Sequence, residues 1–399
     1  MIFSLVSQMI KDNFLKNILD DLAQKGLKRE LKSLDGPQNA RIMLNGKEVL
    51  NFCSNNYLGL ADDERLCQAA IECIKKEGLG SGASRLVCGN MSAHRRLERK
   101  IAQFKGVESC LVFNSGYAAN VGIISGLFGR GDIIFSDKLN HASIVDGIIL
   151  SGAEFKRYPH KDVQALEGFL KNAGGFKKRA IITDTVFSMD GDITPLSEIS
   201  RLAEQYDAWV MVDEAHAFGV LGEKGKGAVE YLGLDGKIDI QMGTLSKAVG
   251  SFGAYVCGSQ ELIDFLVNKS RSFIYSTALP PAIAAASLKA IEIIENEPQR
   301  REKLWENTKY LKKKLDDLGF DTLGSQTPII PVLAKESKLA VEFSRRLLAE
   351  GIFVQAIRPP TVPVNTSRLR VTVMATHSCN DLDLAVEKFM KTGKELSLI

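Results

Sequence analysis

Two stretches decide the fold of this chain: Val210-Met211-Val212-Asp213-Glu214-Ala215-His216 and Asp239-Ile240-Gln241-Met242-Gly243-Thr244-Leu245-Ser246-Lys247-Ala248-Val249-Gly250. Each begins as an apolar run, which is typical of a buried strand, and ends in polar residues. Ligands of an open α/β sheet lie beyond the carboxyl ends of its strands. We therefore expect Asp213 and Lys247 to share one site.

Asp213 and Lys247 have the chemistry of a pyridoxal phosphate site. A lysine among Gly, Ser and Thr can lose its proton and form a Schiff base with an aldehyde cofactor. A carboxylate beside the pyridine nitrogen keeps that nitrogen protonated, which makes the cofactor an electron sink for a carbanion. The alternatives, a surface lysine and a helix-capping aspartate, do not explain why the two stretches occur together.

Two histidines follow predicted strand ends. His216 lies three residues after Asp213, where a turn would bring it to the phenolic oxygen of the cofactor. The alternative for His216 is a packed histidine with only a hydrogen-bonding role. His141, which also follows a strand, is predicted to stack on the cofactor ring. The predicted catalytic residues are therefore Lys247, His141, Asp213 and His216, with Lys247 also removing the α-proton of the substrate.

The phosphate of the cofactor is predicted to bind where a helix begins. The run Phe113-Asn114-Ser115-Gly116-Tyr117-Ala118-Ala119-Asn120 reads as a strand, a turn of small residues and a helix. Backbone N–H groups at such a helix start bind anions. We assign phosphate binding to Gly116 and Tyr117, and to the hydroxyls of Thr244 and Ser246.

Residues 61–290 alternate between short apolar runs and amphipathic helical segments. This alternation favours an α/β fold with a mainly parallel sheet covered by helices on both faces. We interpret the segment as a large cofactor-binding domain. Its predicted strands are Ser109–Phe113, Asp132–Phe135, Ala180–Thr183, Trp209–Val212 and Ala254–Cys257.

Two further regions flank this domain. Residues 1–60 are interpreted as an N-terminal arm, with a helical pattern over residues 10–35 and then a hairpin, Ile42–Leu50, that turns at Asn45-Gly46. Residues 291–399 are interpreted as a smaller α+β domain. Its expected elements are a long helical region over residues 282–317, strands Ile329–Leu333 and Leu369–Val373, and a closing helix from about residue 380.

Composition excludes several classes of protein. A chain of 399 residues, 45% hydrophobic and 25% charged, is typical of a globular protein. Its formal net charge of +3 favours neither a nucleic-acid nor a membrane partner. The seven cysteines are scattered without a C-x-x-C pair, so no disulfide framework and no metal site is predicted. With no signal-peptide pattern after the apolar run Met1–Val6, we expect a cytoplasmic protein.

Several motifs together resemble the α-oxoamine synthases, from about residue 20 to the C-terminus. The resemblance implies a fold-type I pyridoxal phosphate transferase that acts as a homodimer, with sites at the subunit interface. It also implies that the enzyme joins an amino acid to an acyl thioester with loss of CO2. The motifs are Asn51–Leu60, Leu139–Ser143, Phe187–Asp192, Val212–His216 and Gly243–Lys247.

One further motif distinguishes members of that family. The run Ala356–Pro363, followed by Arg368-Leu369-Arg370, is most similar to the member that condenses L-alanine with a pimeloyl thioester, of coenzyme A or of a carrier protein, in biotin biosynthesis. By this resemblance Arg370 holds the amino acid carboxylate, Arg358 lies nearer the acyl substrate and Arg29 reaches toward the pimeloyl end. Structural salt bridges are the alternative for Arg358 and Arg370. The remaining assignments are Asn55 and Thr361 to the substrate, and Ser188 and Thr277 to the cofactor.

Three rival interpretations stay open at this point. The runs Cys88-Gly89-Asn90 and Asn51–Asn56 are more similar to the family member that joins glycine to acetyl-CoA. A non-catalytic partner subunit is a second rival, but such a subunit is expected to lack the Schiff-base lysine. A nucleotide-binding protein is the third, and it is disfavoured because the glycine-rich run Gly78–Arg85 lacks the G-x-G-x-x-G spacing.

Overall fold

The computed structural model describes the backbone of residues 2–399 and the side chains of residues 11–399. Met1 and the side chains of residues 2–10 lie outside this description, so the run Met1–Val6 is not interpreted further. Within residues 2–399, no helix is both long enough and apolar enough to cross a membrane. The helices are α1 (Ile2–Gln24), α2 (Glu64–Glu77), α3 (Ser92–Lys105), α4 (Gly116–Leu127), α5 (Ala142–Ser151), α6 (Val163–Lys171), α7 (Leu196–Gln205), α8 (Ala228–Tyr231), α9 (Gln260–Lys269), α10 (Arg271–Ile274), α11 (Pro281–Asn296), α12 (Pro298–Asp317), α13 (Ser337–Ala349) and α14 (Cys379–Glu395).

The strands form three sheets. The strands are β1 (Leu34–Asp35), β2 (Arg41–Leu44), β3 (Lys47–Asn51), β4 (Ser109–Phe113), β5 (Ile133–Asp137), β6 (Glu154–Tyr158), β7 (Arg179–Asp184), β8 (Trp209–Asp213), β9 (Ile240–Thr244), β10 (Ala254–Gly258), β11 (Ile329–Lys335), β12 (Ile352–Phe353), β13 (Gln355–Ile357) and β14 (Ser367–Thr372). The large sheet has the order β4-β10-β9-β8-β7-β5-β6, and β10 alone runs against its neighbours, which confirms a mainly parallel sheet. The smaller sheets have the orders β1-β2-β3-β12 and β11-β14-β13.

Both faces of the large sheet are buried. Along β8, Met211 packs into the apolar cluster on one face, whereas Val210 and Val212 pack into a cluster on the other. Successive side chains of a strand point to opposite faces, so a strand buried on both sides reads as a continuous apolar run. The parallel strands β5, β7, β8 and β9 consequently end at one edge, where polar residues follow each of them.

The N-terminal arm pairs with the C-terminal part of the chain. Its predicted hairpin is confirmed as β2 and β3, with Asn45 and Gly46 at φ values of 50° and 75° in the turn. Strand β3 also pairs in parallel with β12, and Leu50 and Phe52 belong to the same apolar cluster as Phe343 of α13. The arm therefore shares a core with the C-terminal segment.

The helical pattern predicted over residues 10–35 was wrong at its C-terminal end. Helix α1 ends at Gln24, and Gly26 follows with a φ of 65° while its N–H donates to the Ala23 carbonyl at 3.0 Å. A glycine adopts this left-handed conformation at no steric cost, which is why helices commonly stop there. The break comes at Gly26, well before the predicted Asp35-Gly36-Pro37.

The single long helix predicted over residues 282–317 is two helices. Helix α11 ends at Asn296, and α12 begins at Pro298. Proline has no backbone N–H, so it fits the first turn of a helix but not its interior. Other elements were not predicted: α13, the short strands β1, β12 and β13, and β6, whose charged and partly exposed residues give no apolar run.

Candidate functional site

Asp213 ends β8 at the carboxyl edge of the large sheet, where it is 4% exposed. Its Oδ2 accepts a hydrogen bond from Asn120 Nδ2 at 2.9 Å, and its Oδ1 accepts from the Ala215 backbone N–H at 2.8 Å. Turns rather than a helix follow Asp213, so it does not cap a helix. The structure thus presents a buried carboxylate whose position is fixed by an amide from α4.

Lys247 lies in the turn after β9, on the same edge as Asp213. Burial lowers the pKa of Lys247 to about 8, although the nearby carboxylates of Asp213 and Asp184 act in the opposite direction. Its amine therefore has a substantial neutral fraction near physiological pH, which a nucleophile or general base requires. The alternative of an ordinary surface lysine is wrong.

Asp184 and His141 extend this cluster on the side of β7 and α5. Asp184 ends β7, and burial together with the charge of Asp213 raises its pKa well above the ordinary value. Its Oδ2 accepts from the His141 backbone N–H at 2.7 Å. The His141 ring is exposed, while its Nδ1 lies 2.7 Å from Ser143 Oγ. Partial desolvation and the charge of Lys247 lower the pKa of His141, although the charge of Asp213 acts in the opposite direction, so the neutral ring is favoured.

His216 is held by a tyrosine of the N-terminal region. Its Nδ1 lies 2.7 Å from the Tyr57 hydroxyl, and both residues are buried. Burial and the charge of Lys247 hold the pKa of His216 well below its usual range, so the ring is neutral. The alternative given for His216, a packed histidine with only a hydrogen-bonding role, therefore fits its Nδ1 side. Nε2 makes no hydrogen bond within residues 11–399 and is left for a ligand.

The predicted phosphate loop has the geometry of an anion site. Ser115 caps α4, and its Oγ accepts from the Ala118 N–H at 3.1 Å. The N–H groups of Gly116 and Tyr117 come first in the helix and have no partner within it. The Asn114 side chain donates to the Thr277 carbonyl at 2.7 Å, which places Thr277 beside the same loop.

The two hydroxyls predicted for the phosphate differ in their environment. Thr244 is 4% exposed, and its Oγ1 donates to the Gly253 carbonyl at 3.0 Å. Ser246 is exposed, with its Oγ 2.7 Å from Thr244 Oγ1. Thr244 therefore shapes the turn that carries Lys247, whereas Ser246 reaches open space.

Arg370 is a buried arginine with no acid beside it in residues 11–399. Its Nη2 donates to Asn55 Oδ1 at 3.1 Å and its Nη1 to Thr372 Oγ1 at 3.0 Å. Its Nε donates to the Ser188 backbone carbonyl. The salt bridge that we gave as the alternative for Arg370 is thus wrong. A buried charge without a counterion is costly, so the site suits an anionic ligand.

Arg29, Arg358 and Thr361 line one cavity of about 720 Å³ between the arm and β13. Arg29 Nη2 donates to Thr361 Oγ1 at 3.2 Å, and Arg358 donates to the Gly26 carbonyl. Within residues 11–399 neither arginine has a carboxylate partner, so the salt bridge considered for Arg358 is also wrong. Burial and the charge of Arg29 lower the pKa of Arg358. Two unpaired cations here would attract an acidic group.

Sequence reasoning missed three residues that complete the site. Asn120 is fully buried and binds both Asp213 and Ser143 Oγ, the latter at 2.9 Å. Tyr57 holds His216, and Asp184 holds the His141 loop. Asn120 lies one turn into α4, and the polar residue in that apolar helix was a signal of a buried contact. Asp184 directly follows the predicted strand Ala180–Thr183, so its position at a strand end was a signal as well. Tyr57 gave no such signal.

Three comparisons with known proteins agree with this geometry. A family model described as "Aminotransferase class I and II" matches residues 47–389. The chain is 54% identical over 383 residues to the 8-amino-7-oxononanoate synthase of Citrifermentans bemidjiense, covering 96% of this chain and 98% of that protein. It is 52% identical over 392 residues to the 8-amino-7-oxononanoate synthase of Symbiobacterium thermophilum, covering 98% and 100%. Its fold matches a structure of SPT with the PLP internal aldimine at a TM-score of 0.93 and 30% identity, covering 98% of this chain and 99% of that one.

Proposed function

This chain belongs to the aminotransferase class I and II family and, within it, to the α-oxoamine synthases, and we propose that it is a pyridoxal phosphate-dependent acyltransferase. Its proposed reaction condenses L-alanine with a pimeloyl thioester, with loss of CO2, to form 8-amino-7-oxononanoate for biotin biosynthesis. The fold-type I architecture implied by the resemblance is confirmed. The proposal rests mainly on one observation, the match over nearly the full length of the chain to relatives named 8-amino-7-oxononanoate synthase.

The donor set of the site fits pyridoxal phosphate. Lys247 would hold its aldehyde carbon, Asp213 its ring nitrogen, and the N–H groups of Gly116 and Tyr117 its phosphate. His141 would lie against the ring face, and the free Nε2 of His216 would reach the phenolic oxygen. When bound, the cofactor supplies an electron sink that stabilises a carbanion at the α-carbon of the amino acid. Ser188, Thr244, Ser246 and Thr277 complete the proposed cofactor contacts.

The remaining chemistry depends on this chain's own side chains. Arg370 binds the carboxylate of alanine, because its guanidinium is buried and unpaired, and Asn55 holds that guanidinium in place. The neutral amine of Lys247 takes the proton from the α-carbon, as its lowered pKa allows. The hydrogen bond from Asn120 would hold the Asp213 carboxylate in place beside the ring nitrogen of the cofactor.

The acyl substrate is assigned to the cavity of Arg29, Arg358 and Thr361. A pimeloyl chain ends in a carboxylate, and the two unpaired guanidinium groups offer it charge-assisted hydrogen bonds. The thiol that leaves belongs either to coenzyme A or to an acyl carrier protein. We place the reaction in the cytoplasm, where the seven free thiols of the chain would stay reduced.

We propose that the protein acts as a homodimer. Large apolar side chains are exposed on two segments, with Leu79 at 71%, Val87 at 78% and Tyr275 at 72%. A bridge between Ser84 and Thr277 joins these segments. Exposed apolar surface on a globular protein commonly marks an interface. A second copy of this chain would cover it.

The substrate pair is tested by thiol release from the purified protein loaded with pyridoxal phosphate. We expect release from pimeloyl-CoA with L-alanine, and little from acetyl-CoA with glycine. Activity with the glycine pair alone would reject the proposed substrates while keeping the family. A carrier-protein thioester, assayed in parallel, shows which acyl donor is used faster.

An Arg370→Lys substitution is expected to raise the KM for L-alanine about 10- to 100-fold, with a smaller effect on the KM for the thioester. Lysine keeps the charge but cannot make the paired contact of a guanidinium, and a hydrogen bond to a charged group contributes about 1.5–3 kcal/mol. The matched variant Arg358→Lys should show the opposite pattern. Equal changes in both KM values would contradict these separate roles.

A further inference from the structure

His160 lies after β6 between two carboxylates that the proposed chemistry does not use. Its Nδ1 lies 3.1 and 3.2 Å from the two oxygens of Asp137, and its Nε2 lies 2.9 Å from Asp192 Oδ2. An ionised carboxylate can only accept hydrogen bonds, so both ring nitrogens must donate. The geometry therefore requires a charged imidazolium.

The neighbouring charges support this state. Lys161 Nζ lies 3.0 Å from Asp192, and the Lys161 backbone N–H donates to Asp137 at 2.8 Å. Two acids are thus balanced by two cations. The buried hydroxyl of Tyr158 and the buried carboxyl of Asp184 also face Asp137, and burial together with the charge of Asp137 raises the pKa of both groups. Burial alone would lower the pKa of His160, but the hydrogen bonds that its ring donates to Asp137 and Asp192 raise the pKa to about 9.

The His160 bridge joins two loops of the site. On one side, Asp137 Oδ1 accepts from the Leu139 N–H at 2.8 Å, at the start of the loop that ends in His141. On the other, the Asp192 carbonyl accepts from the Phe187 N–H at 3.1 Å, and the Phe187 ring meets the His160 ring edge-on at 4.4 Å.

The second loop leads directly to the substrate arginine. Ser188 follows Phe187, and its carbonyl accepts from Arg370 Nε. Asp190 of the same loop accepts from Arg368 Nη1 at 2.5 Å. A shift of the loop would therefore move the acceptor that orients the Arg370 guanidinium.

We propose that His160 is a positioning residue for the amino acid substrate, because it ties Asp137 to Asp192 and so fixes the Phe187–Asp192 loop against Arg370. This inference rests on the proposed function, in which Arg370 binds the carboxylate of alanine. Loss of the His160 charge leaves the buried carboxylate of Asp137 and the partly buried carboxylate of Asp192 facing one lysine. The loop then moves, and alanine binding weakens before cofactor attachment changes.

The test compares alanine binding to the loaded wild-type protein and to His160→Gln, followed by the change in cofactor absorbance. We expect binding about tenfold weaker in the variant at a pH of about 7.5, equivalent to about 1.4 kcal/mol. The ratio should fall toward one at a pH of about 10, because the wild-type imidazolium has then lost its proton. Titration of alanine itself and of Lys247 is common to both proteins and cancels in the ratio.

Lys156→Gln is the matched control. Lys156 is a cation on the adjacent strand β6 whose partner Glu154 lies 3.4 Å away, with both side chains 49% exposed. Its loss should leave alanine binding unchanged at both pH values. A His160→Gln protein that binds alanine like the wild type, or that is weakened equally at both pH values, would overturn the positioning role.

A second readout needs no substrate. With 13C in the histidine rings, NMR of the apoprotein should show one imidazole titrating near pH 9 that disappears in His160→Gln. Burial lowers the pKa of His94, His141, His216 and His377, so those rings should titrate below the ordinary range. Absence of the high-pKa ring would overturn this inference alone. A wild-type protein that does not bind alanine would instead overturn the proposed function, and with it the positioning role.

Discussion

Replacing Lys247 with alanine is expected to reduce turnover by at least about 10³-fold. One side chain supplies both the amine that would hold the cofactor and the base that would take the α-proton, and general base catalysis alone contributes about 10²- to 10⁴-fold. The variant should bind pyridoxal phosphate weakly and lack the visible absorbance of a lysine-bound cofactor. Turnover and absorbance are measured on the same preparation.

The control for this substitution is Lys237→Ala. Lys237 is exposed and precedes β9, at the opposite end of the strand from Lys247. Its loss should change neither absorbance nor turnover. A Lys247→Ala protein that still turns over at a rate near the wild type would remove Lys247 from the reaction.

The lowered pKa of Lys247 gives this prediction a pH dependence. Burial favours the neutral amine, so the fraction able to react increases as the pH rises through about 8. The rate at which the apoprotein attaches pyridoxal phosphate should follow that fraction. It should be half-maximal at a pH of about 8 and level off only above that pH, as stopped-flow absorbance would show.

An Asp213→Asn substitution is expected to reduce turnover by about 10²-fold or more while leaving the fold intact. Asparagine has nearly the same shape and can still pair with Asn120, but it carries no charge to keep the ring nitrogen protonated. Loss of a single preorganised electrostatic contact commonly costs about 10²- to 10³-fold in kcat. Steady-state turnover at saturating substrate measures this effect, and circular dichroism verifies the fold.

Asp207→Asn is the matched control for Asp213. Asp207 precedes β8, its side chain is 98% exposed, and it pairs with Arg179 at 3.1 Å. Removing the same charge at the other end of the strand should leave turnover unchanged. Similar losses in both variants would mean that the effect comes from the strand and not from the site.

Much of this site could be predicted because its residues lie within or directly after local sequence patterns. Continuous apolar runs indicated strands buried on both faces, and the polar residues at their ends had to meet at one edge. Lys247, Asp213 and the loop at Gly116 follow from this rule alone. The Asn45-Gly46 turn was equally local, because it requires two residues with positive φ.

The remainder depends on contacts between segments far apart in the chain. Tyr57 contacts His216, which lies 159 positions away in the sequence, and Asn120 contacts Asp213, which lies 93 positions away. Neither contact leaves a periodic signal in either segment. The parallel pairing of β3 with β12 is similar, because a two-residue strand has no pattern of its own. The end of α1 was missed for another reason, because apolar residues continue past Gln24 at Leu27, Leu31 and Leu34. The break before Pro298 did leave a signal, because Pro298 is the only non-polar residue between Ile294 and Leu304.

The reaction itself is tested most directly by isotope labelling. The protein, loaded with pyridoxal phosphate, is incubated with L-alanine carrying 13C in its carboxyl group and with pimeloyl-CoA, and both product and gas are analysed by mass spectrometry. We predict unlabelled 8-amino-7-oxononanoate and one equivalent of 13CO2 for each free thiol. Thiol release without 13CO2, or a product that keeps the label, would contradict decarboxylative condensation by this chain.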